Sequence, residues 1–199
     1  MTFEGVEGAG KTTQLRLLTE HLISRGERPV VLREPGGTSA GEVIRNLLLN
    51  PSSSLTAEAE LFLFLAARAQ NTALVIQPAL EKGQWVLCDR YSDSTIAYQG
   101  YGRNLDLATV KEMNRLATNG LEPDLTFVLD LPPEVGLARQ ASRNRMEGEP
   151  LPFHERVRKG YLTEAGSAPQ RFRVLDACQD ITRIHEQVLT ELQRRGWLP

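Results

Sequence analysis

Apolar residues fall into short blocks at residues 29–32, 85–88, 125–131 and 172–175, and a further block ends at Phe3-Glu4. Runs this short, bounded by glycine, proline or polar residues, predict strands. Between them the spacing becomes helical. Leu15, Leu18 and Leu22 share one helical face that Gly26 stops. A long helix is predicted from about Ala57 through Leu61, Phe64 and Leu65 to about Leu74, with Phe62 as its core phenylalanine. Pro133 opens a helix continuing to about Arg143. Ile181, Ile184, Val188 and Leu192 form the apolar stripe of a last helix, capped by Asp180. Strands alternating with helices predict an α/β fold with a doubly wound, parallel, five-stranded sheet flanked by helices. A central strand normally spans about five or six residues. Only Met1 to Glu4 are left for the first one, so the start of the chain is expected to be late or cut short. Residues 144–152 carry no core pattern and read as an exposed loop in an arginine-rich neighbourhood.

Composition refines this picture little. At 199 residues, with 41% hydrophobic and 24% charged residues, the chain reads as one soluble domain over 1–199 with a small mobile appendage. Lys plus Arg (23) nearly balances Asp plus Glu (25), which argues against a general surface for a nucleic acid polymer or a membrane. No apolar run approaches a membrane span, and no signal peptide is evident, so a cytoplasmic location is expected. Cys88 and Cys178 have no metal-ligand spacing and read as buried thiols of a reducing compartment. The three histidines are scattered and show no ligand pattern.

The chemistry enters with Gly5-Val6-Glu7-Gly8-Ala9-Gly10-Lys11-Thr12, a complete G-x-x-x-x-G-K-[ST] loop placed between a strand and a helix. Its glycines let successive N–H groups turn toward phosphate oxygens. Lys11 would reach the β- and γ-phosphates, and the Thr12 hydroxyl would sit on Mg²⁺. The following helix, with Thr13 in its first turn, offers its positive end to the same anion. The loop implies a nucleoside triphosphate. Asp89, at the carboxyl end of an apolar block, either holds Mg²⁺ through water or serves as a cap or ion-pair partner of Arg90.

Further residues extend the pattern over almost the whole chain. Phe3-Glu4-Gly5 leads into the loop, and Arg33-Glu34-Pro35-Gly36-Gly37-Thr38 follows the second strand. Phe64-x-x-x-Arg68 lies on the long helix. Asp89-Arg90-Tyr91 is followed by Ser94-Thr95 and by Ala97-Tyr98-Gln99-Gly100. Phe153-x-x-Arg156-Val157-Arg158-x-Gly160-Tyr161 and Leu175-Asp176-Ala177 complete the set. Together these resemble the bacterial thymidylate kinase family, a P-loop NTPase type with a mobile lid, placed here at about residues 139–153. Asn144-Arg145 stands where that family usually carries Asp-Arg.

The resemblance implies transfer of a phosphoryl group from ATP to dTMP with Mg²⁺, a step of dTTP synthesis, by a homodimer. Glu7 would point toward the metal and the sugar, and Arg90 would hold the acceptor phosphate unless it merely pairs with Asp89. Arg45 is either a second acceptor-phosphate ligand or a solvated helix residue. Phe64 would stack on thymine with Arg68 donating to a base oxygen, since four residues apart they share a helical face. By the same likeness Glu34 and Ser94 belong to the acceptor site, Thr95 bonds the pyrimidine edge, and Gln99 neighbours base or sugar. Tyr98 would fill the space of a ribose 2′-hydroxyl. Arg139, Arg143 and Arg145 would reach the phosphates when the lid closes, Arg145 as the catalytic arginine and Arg139 alternatively along the adenine, with Asp176-Ala177 at the adenine edge. Two other functions fit the loop: a kinase for another nucleoside monophosphate or a deoxynucleoside, and a switch or motor ATPase.

Overall fold

All five apolar blocks form strands. In the computed structural model, which describes residues 1–139 and 144–199, they are β1 (Thr2–Glu4), β2 (Val30–Arg33), β3 (Val86–Asp89), β4 (Thr126–Asp130) and β5 (Phe172–Asp176). They make one parallel sheet in the order β2-β3-β1-β4-β5. β1 is central despite its three residues: Thr2 pairs with Cys88 on one side and Thr126 on the other. Its residues and most of β4 are buried, as strands covered on both faces must be. Phe3 stacks on Phe127 with ring centroids 5.3 Å apart. After β1 the chain builds β2 and β3 to one side, then crosses to β4 on the other. That reversal opens a crevice at the carboxyl ends of β1 and β3, the place where open α/β sheets bind ligands.

The helices are α1 (Lys11–Ser24), α2 (Ser39–Leu49), α3 (Ala57–Asn71), α4 (Gln77–Glu81), α5 (Ser92–Thr95), α6 (Leu107–Ala117), α7 (Pro133–Ala138), α8 (Leu151–Ser167) and α9 (Ile181–Arg194). α1 packs on β1, β3 and α9, while α8 packs on β4 and β5. Leu15, Leu18 and Leu22 of α1 meet Ile184, Val188 and Leu192 of α9 in the same core. Thr38, Thr56, Asp106 and Asp180 cap their helices with side-chain oxygens. Asn144 to Pro150 lead into α8.

Several sequence expectations change. The long helix does not stop near Leu74: a π-helical stretch, Thr72–Ile76, joins α3 to α4. The result is a 25-residue helix, Ala57–Glu81, long and apolar enough to cross a membrane, contrary to the expectation that no apolar run approaches a span. Buried Glu60 and Arg68 and the packing on α2 and α6 place one side of it in the fold, while Phe62 and Leu74 stay exposed on the other. Phe62 is not the core phenylalanine; it is 55% exposed, while Phe64 turns inward. Ile181 is likewise exposed at the first turn of α9, and Cys178 is exposed on the turn after β5, leaving Cys88 as the one buried thiol. Residues 144–150 form a loop as expected, but a partly buried one, and it ends before residue 152. Met146 belongs to the main core, and Leu151 already starts α8. The part of the Pro133 helix expected beyond Arg139, with Arg143 at its end, lies outside the described residues.

Candidate active site

Gly5 to Gly10 join β1 to α1. Gly10 caps α1 at φ 88°, a left-handed conformation that glycine alone adopts freely. A Cβ on Gly8 would lie 2.1 Å from the Gly136 carbonyl oxygen, and one on Gly136 would lie 2.0 Å from that of Glu7. The loop is therefore braced backbone to backbone on α7. Val6 and Ala9 anchor it in the core. Lys11 is buried and its Nζ donates to the carbonyls of Gly5 (3.1 Å) and Val6 (2.8 Å). Burial, reinforced by the charge of Arg90, lowers the Lys11 ammonium to about 8 against the pull of Glu7, Asp89 and Glu4. Thr12 Oγ1 donates to Asp89 Oδ2 at 2.6 Å, and Arg139 Nη1 donates to the Gly8 carbonyl at 3.0 Å.

Arg90 is the hub. Its backbone is left-handed, φ 70°, costly for a residue with a Cβ. The N–H is tied to the Phe3 carbonyl at 3.0 Å. Nη1 donates to the Gly5 carbonyl (3.0 Å), Ser94 Oγ (3.3 Å) and Tyr161 Oη (3.1 Å); Nη2 donates to Glu7 Oε2 (2.8 Å) and Tyr98 Oη (3.1 Å). Tyr98 donates to Glu7 Oε1 at 2.8 Å. Burial alone would raise the Glu7 carboxyl, but Arg90, then Lys11, then the Tyr98 hydrogen bond bring it down to about 2. Glu7 is thus an acceptor throughout the physiological range.

Two members of this network were not anticipated as site residues. Glu4, fully buried at the end of β1, accepts from the Tyr91 N–H (2.7 Å), Ser94 Oγ (2.5 Å) and Tyr161 Oη (2.9 Å). Burial, with Asp93 nearby, raises its carboxyl above the ordinary range. A glutamate ending a strand buried on both faces was the available signal. For Tyr161 it was the run Phe153-x-x-Arg156-Val157-Arg158-x-Gly160-Tyr161 already set out above.

A cavity of about 720 Å³ opens at this place. Glu7, Gly8, Gly10, Lys11, Thr12 and Thr13 line it on the loop side, with Asp89, Arg90 and Arg139 beside them. Glu34, Arg45, Phe64, Ser94, Thr95, Tyr98 and Gln99 line it further along. Arg45 is oriented by donating to the Pro35 carbonyl at 2.8 Å.

Two predicted arginines are not there. Arg68 is 1% exposed and lies behind the wall, donating to Glu34 Oε2 (2.8 Å), Thr95 Oγ1 (2.6 Å), Asn114 Oδ1 (2.7 Å) and the Tyr91 carbonyl (2.9 Å). It positions Glu34 and Thr95 rather than facing the cavity. Arg145 points away from the phosphate loop: its Nη1 meets Glu60 at 2.7 Å and its Nε the Leu48 carbonyl at 2.7 Å. A buried carboxylate and a free helix-end carbonyl hold it better than solvent would. Asn144 orients this turn, since its Oδ1 accepts from the N–H groups of Met146 (2.9 Å) and Glu147 (3.1 Å), a task aspartate shares. Arg156 and Arg158 are also committed, to the Gly102 carbonyl and to Asp130. Asp176 and Ala177 do not line the cavity. No cluster of three or more His, Cys, Asp or Glu side chains suited to a metal occurs among the described residues. Mg²⁺ bound to phosphates needs only one or two protein oxygens, and the Thr12–Asp89 pair meets that demand.

The family profile described as Thymidylate kinase matches residues 3–188. The thymidylate kinase of Desulfovibrio desulfuricans is 50% identical, over 98% of this chain and 97% of its own. That of Carboxydothermus hydrogenoformans is 53% identical over 88% and 87%. Among solved structures, thymidylate kinase from Ehrlichia chaffeensis superposes with a TM-score of 0.80 at 37% identity, covering 96% of each chain. The chain belongs to the thymidylate kinase family.

Proposed function

We infer that the protein transfers the γ-phosphoryl group of ATP to the phosphate of dTMP, giving ADP and dTDP, a step toward dTTP. The observation that carries this reading is that Lys11 on one side and Arg90 with Arg45 on the other line one cavity. Two anions brought together need positive charge from both flanks, in-line placement and exclusion of water. An acceptor phosphate oxygen attacks the γ-phosphorus as the bond to the β–γ bridging oxygen breaks. That acceptor oxygen is ionised at neutral pH, so no general base is required.

Lys11 and the loop N–H groups bind the donor's β- and γ-phosphates. Arg90 binds the acceptor phosphate by exchanging its Ser94 and tyrosine hydroxyl partners for phosphate oxygens while Glu7 keeps its hold, a task a planar guanidinium does better than an ammonium. Glu7 keeps Arg90 and Tyr98 aimed. Thr12 and Asp89 would hold Mg²⁺, which would supply positive charge at the donor phosphates. Phe64 stacks on the thymine, Thr95 meets its edge, and the Tyr98 ring excludes a 2′-hydroxyl by occupying its space. Arg139, already at Gly8, serves the donor side.

With Mg²⁺-ATP and a panel of monophosphates, dTMP is expected to be the best acceptor, with diphosphate followed by mass. dUMP should lag by about 10- to 200-fold for the missing methyl group, and hydrolysis without acceptor should be slight. Preference for GMP or CMP would remove the assignment. Phe64→Ala should raise the KM for dTMP about tenfold or more, the usual worth of a base stack, and leave the KM for ATP unchanged.

A homodimer is also proposed, supported by Val43 and Leu47 on α2 and Phe62 and Leu74 on the adjoining long helix, apolar side chains between 45% and 70% exposed. Sedimentation should give a dimer for the native chain and a monomer for Phe62→Glu; a monomer for both would dismiss it.

A further inference from the structure

Gln99 lines the cavity, and its side-chain amide is not free to choose which end it shows. Its Nε2 donates to Glu60 Oε1 at 2.8 Å. An ionised carboxylate only accepts hydrogen bonds, so the amide nitrogen must face it. The carbonyl Oε1 is then the polar end that Gln99 has left for the cavity.

Glu60 is itself immobilised. Its side chain is 1% exposed, and Arg103 grips it with Nε at 3.0 Å on Oε1 and Nη2 at 2.9 Å on Oε2. Arg145 Nη1 adds a bond of 2.7 Å. Arg103 is fixed in turn by Glu149 at 2.6 Å and by the Phe153 ring at 4.7 Å. Burial would raise the Glu60 carboxyl, but the hydrogen bonds of Arg103 and Gln99 outweigh it and hold the group below its ordinary range. It stays an acceptor.

Thymine and uracil carry a donor at N3, whereas cytosine carries a lone pair there. An oxygen fixed in the base pocket accepts from the first two and repels the third. We propose that Glu60 is a specificity-determining positioning residue: by pinning the Gln99 amide nitrogen it fixes a hydrogen-bond acceptor toward the base and so selects N3–H pyrimidines over cytosine. This rests on the reading of the cavity as the site of the thymine base.

The test compares kcat/KM for dTMP and dCMP. In Glu60→Gln the residue at 60 can donate, so the Gln99 amide can turn. The dTMP:dCMP ratio should fall by about tenfold or more, the worth of one hydrogen bond left unmade, and dCMP turnover should rise in absolute terms. A merely structural defect would lower both substrates together. Gln99→Leu should also flatten the ratio, and adding Glu60→Gln to it should change the ratio by less than about twofold, because the two act as one unit. If Glu60→Gln fails to melt cooperatively, the double variant Glu60→Gln/Arg145→Met, which removes one of the cations left unpaired, takes its place. An unchanged ratio in a folded variant, or a full further effect in the Gln99→Leu background, overturns the proposal. Phe64→Ala, run alongside, separates the two levels. An unaltered dTMP KM there removes the base pocket and this proposal with it; a raised KM with an unmoved ratio in Glu60→Gln removes only the role of Glu60.

Discussion

Lys11→Ala should lower kcat/KM for dTMP phosphorylation by about 10³-fold or more, the scale on which a single positive group at a transferring phosphoryl is worth its place. The protein should nonetheless fold. The loop's path is set by the contact of Gly8 with Gly136 and by the left-handed Gly10, not by the lysine. What the side chain contributes is one ammonium, buried beside the carbonyls of Gly5 and Val6 and oriented before any substrate arrives. Lys11→Arg should not restore the rate, since a guanidinium is larger and planar and Lys11 itself is only 7% exposed. Steady-state rates with a thermal melt decide the matter. An alanine variant within tenfold of the native rate would show that phosphate charge is met by other groups.

Local patterns made much of the fold readable. Five short apolar blocks and the glycine loop specify strands, helices and an anion cradle within a few residues of chain, because strand burial and loop geometry are local consequences of residue type. Faces were harder. Phe62 and Phe64 are two positions apart, so they point to opposite sides of α3. That helix touches both α2 and α6, and its apolar residues therefore do not mark a single buried side. Phe64 and Arg68 do share a face, yet the arginine continues past the wall to partners 23 to 46 positions away. Glu60 and Arg145 are 85 positions apart. A glutamate in a helix and an arginine in a polar stretch carry no local sign that they meet, so the ion pairs that aim the site became visible only in three dimensions.

Arg90 offers the sharper test, because its backbone and its side chain make opposite demands. Arg90→Ala and Arg90→Gly should both lose about 10³-fold or more in kcat, since each removes the guanidinium that joins Glu7, Tyr98 and Tyr161. Both should also be less stable than the native chain. Without Arg90, burial acts on the Glu7 carboxyl with less opposition, and breaking such a pair costs up to about 3 kcal/mol. The two variants should differ from each other in an unusual direction. At φ 70° an alanine keeps the left-handed penalty of about 1–2 kcal/mol, whereas glycine escapes it. After glycine's own unfolded-chain cost of about 0.4–1 kcal/mol, the net advantage is about 1 kcal/mol, so the glycine variant should melt about 2–4 °C above the alanine variant at this chain length. Glycine normally costs stability through the entropy of the unfolded chain, so the order is diagnostic. Equal melting points, or alanine the more stable, would mean that Arg90 is not held in this conformation. A retained rate in either variant would mean that the acceptor phosphate is bound elsewhere.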